Sequence, residues 1–166
     1  LTNLTPAPGD VSNNACCFSV DSKRLYFFTD DSSDFTYVKC YNLENQSFET
    51  VLQEKWDVVS FGFSHDGRYS FTVTNEDGSP HVNIQDLLSH QLVSLSKLPD
   101  GEIVDALLSR SSQKMLLKTG GDRTPSNYYV YDMKGNTYRK LTNSLSADMD
   151  ICDLVDAKVV RYPSYD

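Results

Sequence analysis

This chain has no long apolar run, and none of its segments approaches the roughly 18 residues that a membrane-spanning helix needs. Basic residues are also scarce, because 15 Lys and Arg stand against 23 Asp and Glu, which gives a formal net charge of −8. An acidic surface argues against a nucleic-acid-binding face and against association with anionic membranes. We therefore expect neither nucleic acid nor a membrane as a partner.

Residues that commonly bind metals or cofactors are few and scattered. The histidines are His65, His81 and His90, and the cysteines are Cys16, Cys17, Cys40 and Cys152. No CxxC pair or other metal-ligand spacing is present. Cys16 and Cys17 are neighbours, so in a regular strand they would point to opposite faces. We interpret the cysteines as small buried side chains in a reducing, cytoplasmic compartment, and we expect no metal and no cofactor.

A segment that joins an apolar strand end, a polar turn and a second strand occurs three times. The copies begin at Phe18, Phe63 and Leu108, so each one starts 45 residues after the last. A fixed period of this size is the signature of a repeat architecture.

Each repeat predicts four short strands, which are rich in Tyr, Phe, Val and Leu and are bounded by Gly, Asp, Asn and Ser. They are residues 15–18, 24–29, 37–43 and 48–52, then 60–63, 69–74, 81–87 and 92–95, then 105–108, 114–118, 128–133 and 138–141. Four-stranded units that repeat at about 45 residues are typical of β-propeller blades. A helical solenoid is the competing interpretation. It fails because no segment keeps apolar residues at helical spacing over roughly ten positions.

The turns add detail to this prediction. Gly67 can take the left-handed backbone that closes a tight hairpin, whereas Ser22 and Ser112 occupy the same place and must be strained or use another turn. The turns between the third and fourth strands begin with Asn or Asp, whose side chains can accept hydrogen bonds from later backbone amides. The longest polar loops are predicted between the second and third strands, at residues 30–36, 75–80 and 120–127.

The sequence thus predicts an all-β, partial propeller over residues 1–157. Three blades are expected at about residues 15–53, 58–98 and 103–142, with partial blade strands at residues 1–5 and 148–155. Closed propellers have about four to eight blades, so three blades cannot close a ring. We expect a portion of a larger protein, with open blade edges through which copies could self-associate.

Two features of the sequence resemble a known family. The Phe-Ser-x-Asp-Gly turn, with the Tyr-Val-Tyr-Asp-Met-Lys-Gly-Asn run at residues 129–136, is similar to the repeats of TolB-type propellers and of the prolyl oligopeptidase family of serine peptidases. Residues 158–166 resemble the strand with which that peptidase family crosses from its propeller to an α/β-hydrolase domain.

The resemblance implies that the parent enzyme cleaves short peptides with a Ser-His-Asp triad in a hydrolase domain, while the propeller restricts access to the active site. No Gly-x-Ser-x-Gly nucleophile elbow occurs in this chain, so we assign no catalytic residue to it and expect no peptidase activity from it alone. The hydrolase domain of the same parent chain is the implied partner, and peptides are the implied substrates. The alternative is a TolB-like propeller that only binds protein partners, in a periplasm.

Candidate site residues are few. Asp30, Asp31 and Asp34 share one loop, but the spacing of a calcium-binding EF-hand is absent, so we interpret the loop as a solvated acidic segment. Residues 120–123 are predicted to form a flexible loop and not a phosphate cradle, since neither a Lys-Ser/Thr pair nor a helix follows. Arg123 in that loop is the one candidate for contact with a substrate or partner. A propeller hydrolase with metal ligands at its axis is a third possibility, which the scarcity of His disfavours.

Overall fold

The computed structural model describes residues 2–6, 9–95, 98 and 101–163. Twelve strands form three separate four-stranded antiparallel sheets, each in simple sequential order. The strands are β1 Asn13–Phe18, β2 Arg24–Thr29, β3 Tyr37–Asn42, β4 Phe48–Leu52, β5 Asp57–Phe63, β6 Tyr69–Glu76, β7 Ser79–Asp86, β8 Gln91–Leu92, β9 Glu102–Leu108, β10 Lys114–Gly121, β11 Thr124–Asp132 and β12 Thr137–Lys140. We call β1–β4 blade 1, β5–β8 blade 2 and β9–β12 blade 3. The prediction of three four-stranded blades is confirmed.

The core lies between the blades, because each sheet packs a face against the next sheet. Between blades 1 and 2, Tyr26, Val38 and Cys40 pack against Val58 and Phe61. Between blades 2 and 3, a second cluster joins Tyr69 and Ile84 to Ala106, Met115, Leu117, Tyr129 and Tyr131. A single four-stranded sheet cannot remove both of its apolar faces from water. Burial of apolar area against a neighbouring sheet is therefore the main source of stability for each blade.

The turn between the first two strands has the same form in all three blades. The amides of Ser22, Gly67 and Ser112 bond the carbonyl oxygen three residues earlier, at 2.8, 2.9 and 2.9 Å. The φ angles at these residues are 60°, 70° and 54°. The two serines therefore adopt the conformation that suits glycine, and of the two predicted possibilities, strain or a different turn, strain is correct.

The predicted long loops between the second and third strands are wrong in blades 2 and 3. There, β6–β7 and β10–β11 are tight hairpins with the two-residue turns 77–78 and 122–123. Both Asp77 and Gly78 have positive φ, at 51° and 83°, as a type I′ turn requires. Polar side chains had suggested loops, but backbone pairing continues to the sheet rim, where polar side chains remain in water. Blade 1 keeps its longer loop between β2 and β3.

Other boundaries also differ from the predictions. The outer strand of blade 2 is only Gln91–Leu92, one residue earlier and shorter than the predicted 92–95. The predicted inner strand at 148–155 is absent: Ile151–Asp153 is a 3-10 turn, with the Asp150 carboxylate accepting the Cys152 amide at 2.9 Å. None of the twelve described strands pairs with this segment. Residues 2–5 also form no strand, while Leu1, Ser96, Lys97 and residues 164–166 lie outside the described residues.

Among the described residues, none forms a helix with the length and apolar character that crossing a membrane requires.

Candidate functional site

Blades 1 and 2 are joined by polar contacts as well as by the apolar core. The Cys16 thiol donates a hydrogen bond to the Phe61 carbonyl oxygen, with 2.9 Å between sulfur and oxygen. At the other rim, the Thr36 amide donates to the Asp57 carboxylate at 2.8 Å, and the Val58 amide donates to the Thr36 carbonyl at 2.9 Å. Both sets of contacts connect β5, the inner strand of blade 2, to blade 1, so they determine how the two blades are positioned.

Blades 2 and 3 are joined through Asp66, in the turn between β5 and β6. Its carboxylate accepts from the Ser64 hydroxyl at 2.7 Å and from the Arg68 amide at 3.1 Å, both within the turn. The same oxygen accepts from the Ser112 hydroxyl of blade 3 at 2.8 Å. The hydroxyl donors, Ser64 first and then Ser112, lower the pKa of Asp66. The carboxylate thus connects two equivalent turns of adjacent blades.

The turns between the third and fourth strands are built as predicted. In each, one side-chain oxygen accepts two backbone amides: Asn42 from Glu44 and Asn45, Asp86 from Leu88 and Ser89, and Asp132 from Lys134 and Gly135. An Asx-type acceptor of this kind replaces the backbone partners that a tight turn leaves free.

An ion pair connects the two turns at this rim in blades 1 and 2. Arg68 contacts Asp86 at 2.9 Å, and Lys23 contacts Glu44 at 2.7 Å. The Arg68 guanidinium holds the pKa of the Asp86 carboxyl below its ordinary value. Exposed pairs such as Lys23–Glu44 contribute little stability, so they orient the turns more than they stabilise the blades.

At the opposite rim, the segment that follows blade 3 runs back over the turns between the second and third strands of blades 3 and 2. The Asp122 carboxylate accepts the Ala157 amide at 2.7 Å, and Arg123 faces Asp156 across 3.8 Å. Farther along, Arg161 pairs with Asp77 in the corresponding turn of blade 2. Residues 155–163 are exposed, so contacts with two adjacent turns, and not burial, hold this segment in place.

Arg123 therefore lies in a two-residue turn and not in the flexible loop that the sequence suggested. Its side chain is exposed, and its carboxylate partner is 73% exposed. An exposed ion pair of this kind contributes little stability. Among the described residues, no other predicted site residue lies beside Arg123, whose ion-pair partner is Asp156.

The remaining candidates do not converge. His65 lies in the β5–β6 turn, His81 lies within β7 at 3.9 Å from Glu76, and His90 lies in the β7–β8 turn. In the acidic loop, Asp30 accepts the Ser12 amide at 2.8 Å, while Asp31 pairs with Lys39 at 3.0 Å, which lowers the pKa of Asp31. Within the described part of the chain, no three His, Cys, Asp or Glu side chains form a group that could hold a metal.

Shallow cavities lie along the blade seams and on the outer face of blade 1. One of about 400 Å³ lies between the inner turns of blades 1 and 2, and another of about 420 Å³ occupies the equivalent place between blades 2 and 3. A third, of about 320 Å³, lies where Leu4 and Pro6 meet Phe27 and Phe48 on blade 1. Ser19 and Asp21 line the first of these cavities, and Asp66 and Ser112 line the second.

Sequence reasoning missed the contacts between blades. Asp66–Ser112 and Cys16–Phe61 join residues 46 and 45 positions apart. The repeat period itself was the available signal, since residues one period apart occupy equivalent places in adjacent blades. What the period could not show was which side chains cross the seam.

Comparison with known proteins supports this architecture. No protein-family model and no curated protein sequence matches the chain. Among solved structures, it matches a puromycin-hydrolyzing peptidase from Mycobacterium tuberculosis with a TM-score of 0.64 and 15% identity, over 84% of this chain and 22% of that one. A prolyl endopeptidase matches with a TM-score of 0.60 and 14% identity, over 83% and 20%. TolB from Acinetobacter baumannii matches with a TM-score of 0.55 and 17% identity, over 81% and 32%.

The chain is an arc of a β-propeller. The resemblance to TolB-type and prolyl oligopeptidase-type propellers is confirmed at the level of the fold. The chain spans between a fifth and a third of the length of these three proteins. A shared fold carries many functions, so what the whole protein does is a separate inference.

Proposed function

We propose that this chain is the non-catalytic propeller portion of a serine peptidase of the prolyl oligopeptidase family that cleaves short peptides. The observation that carries the proposal is the match of the three-blade arc to the propellers of two peptidases, with TM-scores of 0.64 and 0.60. The resemblance of residues 158–166 to that family's crossover strand favours it over a TolB-like protein-binding propeller, which has the same fold. The described part of that segment, up to Pro163, is exposed and forms neither helix nor strand.

In this proposal the chemistry belongs to an α/β-hydrolase domain of the same parent, and the propeller limits which substrates reach it. The segment after blade 3 crosses the 77–78 and 122–123 turns, so the following domain would lie over this rim. Arg123 would then face either that domain or the carboxylate end of a peptide substrate. We place the parent in the cytoplasm, in keeping with the four free cysteines of this chain; the TolB-like alternative would be periplasmic.

The first test is the coding sequence downstream of Asp166. We expect an open reading frame with a Gly-x-Ser-x-Gly elbow. The full product should react with a fluorophosphonate probe, and replacing the serine of that motif by alanine should abolish the reaction. This chain expressed alone should not react. A stop codon close behind Asp166 would overturn the peptidase proposal and favour the TolB-like alternative.

The role of Arg123 is tested in the same full product. Arg123→Ala should raise KM for short peptides with little change in kcat if the side chain binds substrate. Arg139→Ala is the matched control, because Arg139 is an exposed arginine on the outer strand β12, away from this rim. Equal kinetics for both variants and the wild type would exclude a substrate role for Arg123.

A further inference from the structure

Cys16 and Cys17 lie on the same side of blade 1, contrary to what a regular strand predicts. Ala15 pairs with Phe27 and Cys17 pairs with Tyr26, so Cys16 is an extra residue in a β-bulge. A bulge re-aims the side chains beside it. Both cysteines pack against the apolar cluster between blades 1 and 2, and the Cys16 thiol reaches the Phe61 carbonyl of blade 2. The two sulfur atoms therefore belong to one site.

The position of this bulge is peculiar to blade 1. The inner strands of blades 2 and 3 also bulge, at Val59 and Val104, which are one repeat period apart. In blade 1 the extra residue is 43 positions before Val59, and thus two residues closer to the turn than the period predicts. The shift brings the bulge to the only adjacent pair of cysteines in the sequence.

The pair is also reachable from solvent. Both cysteines are half-buried, while their neighbours Ala15 and Phe18 are exposed. Cys40, in contrast, is 1% exposed. The hydrogen bond between the two thiols lowers the pKa of Cys16 and raises that of Cys17, so Cys16 is the better nucleophile.

We propose that Cys16 and Cys17 form a vicinal dithiol site that captures soft, thiophilic electrophiles of the trivalent arsenical class. An organoarsenic oxide has one As=O group. Each thiol gives its proton to that oxygen as its sulfur bonds to arsenic, so two As–S bonds form and one water leaves. The oxidation state of arsenic does not change, and no co-reactant is needed.

Other uses of the pair fit the geometry less well. Neighbouring Cα atoms are about 3.8 Å apart, which is shorter than the ~4.4–6.8 Å of ordinary disulfides, so an internal disulfide is disfavoured. A structural zinc site needs four ligands. Within the described residues, no third His, Cys, Asp or Glu joins the pair. A ligand that binds through two thiols suits the site better than either alternative.

Phenylarsine oxide and intact-mass spectrometry of the folded protein test this proposal. We expect one adduct per chain, equal to the reagent less one water. It should survive excess 2-mercaptoethanol and be removed by 2,3-dimercaptopropanol, since only a dithiol competes with a chelate. Cys16→Ser and Cys17→Ser should each lose the adduct in 2-mercaptoethanol. Cys152→Ser, which removes an exposed single thiol, should keep it.

A measurement on the wild type covers the case in which a variant misfolds. Bound arsenical should protect residues 16 and 17, but not Cys152, from N-ethylmaleimide, as judged by peptide mapping after digestion. Absence of an adduct on the wild type, retention of the adduct by Cys16→Ser or Cys17→Ser, or full alkylation of both cysteines in the presence of the arsenical would each overturn the proposal.

Discussion

Asp66 carries contacts for two blades, whereas its counterpart in blade 1 serves only one. The Asp21 carboxylate accepts from the Ser19 hydroxyl at 2.5 Å and from the Lys23 amide at 3.1 Å, within its own turn. Asp66 makes the same two kinds of bond and adds the Ser112 hydroxyl of blade 3. The repeat therefore provides a matched pair of residues for measuring what a seam contact contributes.

We expect Asp66→Ala to destabilise the protein at pH 7 by on the order of 1 kcal/mol, as is typical when hydrogen bonds are removed. The pKa of Asp66 is lowered in the folded state relative to the ordinary value of 3.8. Its contribution is therefore fully present above that value and is lost as the pH falls through the lower, folded-state pKa. The difference between wild type and variant should shrink below about pH 4. Urea denaturation at pH 7 and pH 3 measures it.

Asp21→Ala is the control for this prediction. It removes the local bonds of the turn but no bond between blades, so its destabilisation at pH 7 should be smaller. Equal losses for the two variants would show that the Ser112 bond contributes nothing to stability.

Among the structural elements, the turn between the first and second strands shows how one geometry is kept by different residues. Gly67 adopts φ of 70° without a steric penalty, while Ser22 and Ser112 hold 60° and 54° despite having a Cβ atom. Ser112 offsets that strain with its bond to Asp66, whereas Ser22 is exposed. The strain at Ser112 is therefore offset by a contact between blades, and the strain at Ser22 is not offset by such a contact.

We expect Ser22→Gly to stabilise the protein by up to about 1 kcal/mol, because relief of left-handed strain exceeds the entropy that glycine loses on folding. Ser112→Gly should give no such gain, since it also removes the seam bond. Thermal denaturation of both variants beside the wild type makes the comparison. A lower melting temperature for Ser22→Gly would contradict the strain argument.

At the scale of the whole molecule, the arc ends in two faces without a neighbouring blade. Blade 3 exposes Leu107 at 62% and Tyr128 at 39%, and blade 1 exposes Phe48 at 48%. On the inner seams, equivalent sheet faces are covered by the next blade. The terminal faces thus have the composition of a blade interface, but no further blade of the described residues packs on them.

We expect this chain in isolation to self-associate through these faces, with an average mass that rises with concentration in light scattering. Leu107→Lys should weaken the association, because it places a charge on the open face of blade 3. Leu88→Lys is the control: Leu88 is 78% exposed but lies in a turn of blade 2. A strict monomer at high concentration would contradict the expectation.

The repeat, the number of blades and most of the strands follow from the amino-acid sequence alone, because these depend on local properties. Alternating apolar residues and turn formers act within a few positions of each other, and the Asn42, Asp86 and Asp132 turns followed from side-chain chemistry alone. The Asp-Gly pair at 77–78 is a hairpin signal of the same local kind, although the polar residues around it are typical of a longer loop.

Which side chains meet across the seams depends on tertiary packing and does not follow from the sequence pattern. The Asp66–Ser112 bond and the shared site of Cys16 and Cys17 depend on how sheets 45 residues apart pack together, and the second also depends on where a bulge falls. A one-residue change in strand register exchanges the two faces of a strand. Composition and spacing do not show such a change in register. The register is selected by packing against the next blade.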